Sequence, residues 1–208
     1  MGRYNDVPVI LPFDEPVTLA QAKEHLNVEH SNDDTKISSL ITSARQACEN
    51  EMNRALIYQK RELRLEEFPC DEIIVPNPPL YSVESITYID TDGTEQTWAA
   101  SKYQVDTKSE PGRLMPAYGQ AWPVTRAQYN AVVVTYWAGY TPVEVGSPTD
   151  FAGNVPQAIK QAILVTIGNF YGNQESVIAG PAAQVVELPM NAKWLLAQYK
   201  VIDFRLSS

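Results

Sequence analysis

The stretch Ala131–Ala138, AVVVTYWA, carries apolar side chains at both sets of alternating positions. Val132, Val134 and Tyr136 belong to one set, and Val133 and Trp137 belong to the other. Apolar residues on both sides of a strand are typical of the middle of a sheet that is covered on both faces. The stretch therefore predicts a central, doubly covered β-strand.

The surrounding region, residues 58–141, has the composition of a small β-domain. It holds most of the tyrosines and tryptophans, which fill the cores and interfaces of small β-domains. The sequence Asp90-Thr-Asp-Gly93 is a turn signal between two strands of a hairpin. β-Branched, aromatic or alternating patterns predict further strands at Leu63–Leu65, Ile73–Val75, Val83–Ile89 and Thr94–Trp98.

The segment before this region is helical. Thr18 and Gln21 have the spacing of a capping box at the start of a helix that ends near Asn27. An apolar stripe at helical intervals then predicts a long helix from about Asp34 to Ala55. We expect the polar side of that helix, which includes Arg45 and Glu49, to be a solvated face.

Two more helices are predicted after the β-rich region. Asn154, Pro156 and Gln157 signal a helix start, and the following sequence AIKQAILVTIGNFY is apolar nearly all round. Such a helix must be buried on more than one side, and a second subunit is one candidate for the second side. A last short helix is predicted over Asn191–Tyr199.

These segments predict an α+β fold with a mainly helical core of about four helices and an inserted small antiparallel β-domain. The helical core comprises residues 18–57 and 142–208, and the β-domain comprises residues 58–141. Residues 1–17 are expected to form an extended N-terminal arm.

Composition and charge restrict the class of protein. The chain has 208 residues, 44% of them apolar, and its 16 basic and 25 acidic residues give a net charge of −9. Because the sequence contains no run of basic residues, strong electrostatic binding to the phosphates of nucleic acid is disfavoured. The two cysteines, Cys48 and Cys70, cannot form a disulfide framework and favour a reducing cytoplasm. The sequence shows neither a secretion signal nor a membrane-spanning run.

The sequence offers little to build catalysis or metal binding. On a helix, side chains five residues apart point in different directions, so His25 and His30 could not share a metal ion. The run Asp90–Glu95 fails as a calcium loop because the first and last ligand positions would be Tyr88 and Ala99. Glu66 and Glu67 are expected to be solvated rather than catalytic. We therefore predict no cofactor and no metal.

Seven segments resemble, in their order and spacing, the bacteriophage head-tail connector (adaptor) family, the neck proteins that dock on the portal. None of the segments is catalytic, and the likeness rests on all of them together. They are LAQAKEHLNV (19–28), NRALI (53–57), PPLYSVESITYID (78–90), EPGRLMPAYGQAWP (110–123), VVVTYWAGY (132–140), VPQAIKQAIL (155–164) and ELPMNAKWLLAQYKV (187–201).

The resemblance implies a structural virion protein without enzymatic activity, located in the neck of the particle and in the host cytoplasm during assembly. Its copies would form a ring, a dodecamer in the particle, with the portal protein above and a stopper or tail-completion protein below. DNA would pass through the channel without sequence-specific binding, and no membrane would be involved. A ring of about twelve copies would carry roughly −108, which would keep DNA phosphate from adhering.

The C-terminal segment Leu188–Tyr199 is predicted to dock onto a neighbour such as the portal, because tryptophan and tyrosine serve as interface anchors. The alternative is that Trp194 closes the core of its own subunit. The full set of candidate subunit or portal interface residues is Ile159, Ile163, Phe170, Leu188, Trp194 and Tyr199.

Two other functions stay open on the sequence. A carbohydrate-binding module could use the aromatic side chains of the β-domain, such as Trp98 and Trp122, as a stacking platform. A hydrolase could use a pair of acidic residues, although no oriented base, nucleophile or metal cluster accompanies them.

Overall fold

The computed structural model describes residues 4–140, 154–172 and 188–201. The chain divides into two compact units, and each unit is built from two separate stretches of chain. The first, called the β-unit, comprises Met1–Phe13 and Ile57–Thr141. The second, called the helical unit, comprises Asp14–Leu56 and Pro142–Ser208.

The β-unit contains two antiparallel sheets. A five-stranded sheet has the order β1-β2-β8-β4-β5, and a three-stranded sheet has the order β3-β7-β6. The strands are β1 (Tyr4–Ile10), β2 (Gln59–Leu65), β3 (Ile73–Val75), β4 (Leu80–Ile89), β5 (Glu95–Trp98), β6 (Tyr103–Asp106), β7 (Gly112–Pro116) and β8 (Val132–Ala138).

The predicted central position of β8 is confirmed. It pairs along its length with β2 on one side and β4 on the other. Val132, Val134 and Tyr136 are fully buried, whereas Val133 and Trp137 are half-buried. One face of β8 therefore belongs to the core of the β-unit and the other face is only partly covered. The hairpin predicted around Asp90–Gly93 is also confirmed, since β4 pairs with β5 across that turn.

The core of the β-unit lies between its two sheets. Gly112 of β7 approaches Leu80 of β4 so closely that a Cβ at this glycine would lie 2.6 Å from the Leu80 side chain. Leu114 from the small sheet and Ile86 from the large sheet are both inaccessible to solvent. The missing side chain at Gly112 therefore allows the two sheets to meet.

A buried polar network fixes β1 to the rest of the sheet. The Tyr136 hydroxyl donates to Asp6 Oδ1 over 2.7 Å, and Arg61 Nε and Asn77 Nδ2 donate to Asp6 Oδ2 over 2.7 and 2.6 Å. Burial raises the pKa of Tyr136 well above its ordinary value, and the Asp6 carboxylate raises it further, so the hydroxyl keeps its proton. The side chain of Asp6 is only 7% exposed, and its charge is balanced by Arg61.

Removing the charge of Asp6 is expected to destabilise the β-unit. The Asp6→Asn variant leaves Arg61 in a largely buried site without a carboxylate, which costs about 3–5 kcal/mol of unfolding free energy. Urea denaturation followed by tryptophan fluorescence measures the loss, and Asp92→Asn, at an exposed turn position, is the matched control. Equal stability of the two variants would contradict the role of the network.

The helical unit has four helices within the described residues: α1 (Leu19–Leu26), α2 (Asp34–Met52), α3 (Gln157–Gly172) and α4 (Met190–Leu196). The predicted capping box is confirmed, because Gln21 N donates to Thr18 Oγ1 and Thr18 N donates to Gln21 Oε1. Helix α2 ends before the predicted Ala55, since Asn53 adopts a left-handed conformation with φ of 53°.

Helix α3 is the centre of the helical unit and packs against α1, α2 and α4. One face, including Ala162 and Ile167, is fully buried, whereas Leu164 and Val165 on the remaining surface are half-buried. Most of the apolar surface of this helix is thus covered by helices of the same chain.

On the polar side of α2, Lys36, Asn50 and Asn53 are exposed as expected, but Arg45 and Glu49 are not solvated. Arg45 is buried, and its guanidinium pairs with Glu15 at 2.7 Å and with Glu49 at 2.6 Å. Glu49 Oε1 also accepts a hydrogen bond from the Leu56 backbone N–H over 2.8 Å. An arginine with two carboxylate partners can be buried on a helix, and here it ties the segments before α1 and after α2 to that helix.

The two cysteines differ in environment, and their reactivity should differ accordingly. Burial raises the pKa of the Cys48 thiol to about 12, whereas Cys70 is exposed. Because the thiolate is the reactive form, native protein should expose a single thiol to Ellman's reagent and denatured protein should expose two. Cys70→Ser should abolish the native-state reaction; a remaining fast reaction would show that Cys48 is accessible.

The expectation of a mainly helical core with a small inserted β-domain is wrong. The described residues form a mixed α+β fold in which two antiparallel sheets, one of five strands, stand beside four helices. The sheet content was underestimated because β1, β6 and β7 were not predicted. In β1, a buried Asp6 and an exposed Pro8 obscure the alternation that marks a strand.

Candidate assembly surfaces

Large apolar side chains are exposed mainly in three regions of the described chain. The first region is the N-terminal segment of the β-unit, the second is the small sheet with the loop that follows β7, and the third is α4. In that order, the exposed residues are Tyr4, Val9, Leu11 and Phe13; Val105, Met115, Tyr118, Val124 and Tyr129; and Met190 and Trp194. Contiguous exposed apolar surface marks sites of interaction with other proteins.

Helix α4 has one buried face and one exposed face. Ala192 and Leu196 are buried in the helical unit, whereas Met190 and Trp194, one turn apart, are 73% and 80% exposed. A groove beside Trp194 is lined by Glu51, Lys193, Trp194, Leu196, Ala197 and Lys200. The exposed face of α4 is therefore an apolar surface beside a groove with charged walls.

The chain after α4 is attached to the end of α2. Arg54 Nε donates to the Tyr199 carbonyl over 3.0 Å, and Val201 N donates to the Met52 carbonyl over 2.9 Å. Lys200 forms an ion pair with Glu51 at 2.8 Å. These contacts hold the exposed face of α4 in a fixed position on the helical unit.

The six predicted interface residues occupy three different environments. Ile159 and Ile163 are fully buried in the core of the helical unit. Phe170, Leu188 and Tyr199 are half-buried. Trp194 is exposed, so the alternative that it closes the core of its own subunit does not hold. The interface role of the six residues stays a prediction.

The three tryptophans of the β-unit do not form an open stacking platform. Trp122 stacks face to face on Phe68, with 4.8 Å between the ring centroids. Trp137 stacks in the same way on Tyr58, with 4.6 Å between the centroids. Trp98 is 9% exposed, with the Lys102 ammonium 4.8 Å from its ring centroid. Ring faces that are covered by other side chains do not suit the sugar-binding alternative.

The two histidines lie in separate surroundings. His25 lines a shallow cleft of the helical unit with Gln21, Glu24 and Lys160. His30 Nε2 lies 4.0 Å from Asp33 Oδ2. The same carboxylate accepts a 2.6 Å hydrogen bond from the Tyr171 hydroxyl, which lowers the pKa of Asp33 and raises that of Tyr171.

Within residues 4–140, 154–172 and 188–201, no group of three or more His, Cys, Asp or Glu side chains is arranged to hold a metal ion. None of the helices in these segments is long and apolar enough to cross a membrane.

Sequence reasoning missed the exposed loop after β7 and the exposed N-terminal segment. Tyr118 and Tyr129 are 100% and 80% exposed, so of the two places expected for the aromatic residues, the core and a subunit interface, the core does not hold for these two. One usable signal is that residues 111–130 contain no acidic side chain in an otherwise acidic chain. Charge-depleted, aromatic surface is typical of protein interfaces.

Known proteins resemble this chain in sequence and in fold. The family model for head completion protein matches residues 16–184, whereas no curated protein sequence matches the chain. A chain from the neck of an empty GTA particle computed with C6 symmetry has a TM-score of 0.71, with 18% identity and coverage of 97% of this chain and 96% of that chain.

Two further solved structures show the same fold. A chain from the virion of a native gene transfer agent (GTA) particle has a TM-score of 0.72, with 17% identity and coverage of 95% of this chain and 96% of that one. A chain from the neck of a native GTA particle computed with C12 symmetry has a TM-score of 0.70, with 19% identity over 97% and 96% of the two chains. At these identities the likeness establishes the fold.

Proposed function

This chain belongs to the head completion protein family, and from that premise we propose that it is a structural component of the neck of a phage-type virion. In this role it forms a ring beneath the portal through which DNA passes, and it carries out assembly rather than catalysis. The family match over residues 16–184 is the observation that carries the proposal. The fold shared with chains of GTA necks supports it.

A ring requires two different, complementary surfaces on each subunit, because contacts in a cyclic assembly are heterologous. The exposed apolar residues of the β-unit supply such surfaces, and α4 supplies a further one. The C12 symmetry used for a neck of the same fold supports a ring of twelve copies. The copies assemble in the host cytoplasm and remain in the neck of the finished particle.

The net charge of −9 per chain suits a channel for DNA. Acidic walls repel phosphate and leave passing DNA mobile, whereas basic walls would retain it through counterion release. In this proposal the protein contacts DNA without binding it in a sequence-specific manner.

The exposed face of α4 is the surface that we assign to the portal protein, with a stopper or tail-completion protein on the opposite side of the ring. Trp194 and Met190 form an apolar pair of the kind that anchors interfaces. Because Ala192 and Leu196 on the same helix are core residues, truncation after Glu187 would also damage the helical unit. Point substitutions on the exposed face are the cleaner test.

Particles produced without this protein should be defective in the neck. We expect electron microscopy to show filled heads without tails, or heads that have lost their DNA, because the junction beneath the portal would be incomplete. Supplying the wild-type chain from a plasmid should restore tailed particles. Normal tailed virions in the absence of the protein would refute the proposed function.

Trp194→Ala should separate docking from folding. Since the side chain is 80% exposed, the urea midpoint should stay close to that of wild type, whereas attachment to portal-bearing heads should fall by about 30-fold, as expected for an interface anchor worth about 2 kcal/mol. Immunoblots of sedimented heads measure attachment. Tyr81→Ala, which removes a 47% exposed ring from the β-unit, is the control, and unchanged attachment of Trp194→Ala would exclude α4 as the portal contact.

A further inference from the structure

The β-unit exposes two separate apolar patches. The first, called the arm patch, consists of Val9, Leu11 and Phe13, whose side chains are 49%, 67% and 65% exposed. The second, called the loop patch, consists of Met115, Tyr118, Val124 and Tyr129, which lie at the end of β7 and in the loop that follows it.

The loop patch is displayed by a loop with several fixed points. Gln120 N donates to the Ala117 carbonyl over 2.9 Å, which closes a turn with Tyr118 at its tip. Trp122 stacks on Phe68 and donates its indole N–H to the Asp71 carbonyl over 3.2 Å. Farther along, Arg126 N donates to the Ile89 carbonyl over 3.1 Å. The full exposure of Tyr118 is therefore a property of an anchored turn.

The two patches also differ in charge. Residues 111–130 contain no acidic residue. Of their two arginines, Arg113 forms ion pairs with Glu72 and Asp106, whereas within the described chain Arg126 is exposed without a carboxylate partner. The arm patch is followed directly by Asp14, which is exposed. One apolar surface thus carries an arginine and the other carries a carboxylate. The two surfaces are therefore complementary both in apolar character and in charge.

We propose that the arm patch of one copy of this chain packs on the loop patch of the next copy. The two patches are different and complementary, as a heterologous contact between identical subunits requires. This inference rests on the ring in the proposed function and names the surfaces that close it. Tyr118 is the central anchor, and Arg126 and Asp14 set the orientation.

Disulfide trapping in assembled particles tests the contact. The variant carries Leu11→Cys and Tyr118→Cys together with Cys70→Ser, and Cys48 stays buried. Particles are purified from cells that produce only this variant, oxidised mildly and analysed on non-reducing gels. We expect a ladder of dimers, trimers and larger multiples, because each subunit would be linked to both neighbours. A variant with Leu11→Cys, Ser39→Cys and the same Cys70→Ser change, with Ser39 at an exposed position on α2, should give no ladder.

The outcomes separate this inference from the proposed function. If the variant is present in particles but runs only as a monomer, including an internally linked monomer, the contact is wrong although the neck role stands. If the wild-type protein is absent from particles, the proposed function itself is wrong, and the contact between copies is overturned with it.

If the trapping variant alone is missing from particles, Tyr118→Ala and Tyr81→Ala are compared for copy number per particle after circular dichroism has shown that both are folded. Loss of the first and retention of the second supports the contact. Equal copy number overturns it.

Discussion

The carboxylate of Asp6 is the constraint on which the β-unit depends. It accepts hydrogen bonds from Tyr136 on the central strand, from Arg61 on β2 and from Asn77 after β3. One buried charge thus joins the first strand of the chain to residues far along it. Because a buried carboxylate without these partners would be strongly unfavourable, the network also selects one position for β1 against the sheet.

Periodicity predicted the elements whose apolar pattern is complete in the sequence. The central strand at Val132–Ala138, the hairpin at Asp90–Gly93 and the four helices follow from alternation, turn chemistry and capping. The pattern failed where polar side chains are buried. Arg45 was assigned to solvent because its partner Glu15 lies outside the helix and is identified only by tertiary structure, although Glu49 stands one helical turn from Arg45.

The family could be predicted from the sequence, and the surfaces could not. Seven short segments in order were sufficient to indicate a phage neck protein. The sequence alone could not separate buried Ile159 and Ile163 from exposed Trp194, because all three are apolar residues in predicted helices. Nor could it show that Tyr118 stands at the tip of an anchored turn while Trp98 is enclosed. Exposure depends on packing between segments that are distant along the chain.

The chain order of the large sheet has a consequence for synthesis on the ribosome. Strand β1 is made first, but its partner β2 begins only at Gln59, and β8, which joins β2 to β4, ends at Ala138. The strands that pair in this sheet are far apart in the sequence, which gives the sheet a high contact order. Strand β1 has no partner strand until the ribosome has made the α1 and α2 segments and then β2. Until translation passes Ala138, Asp6 lacks its partner Tyr136 and β2 lacks its neighbour β8. The buried network that fixes β1 can therefore be completed only after almost two thirds of the chain has been made.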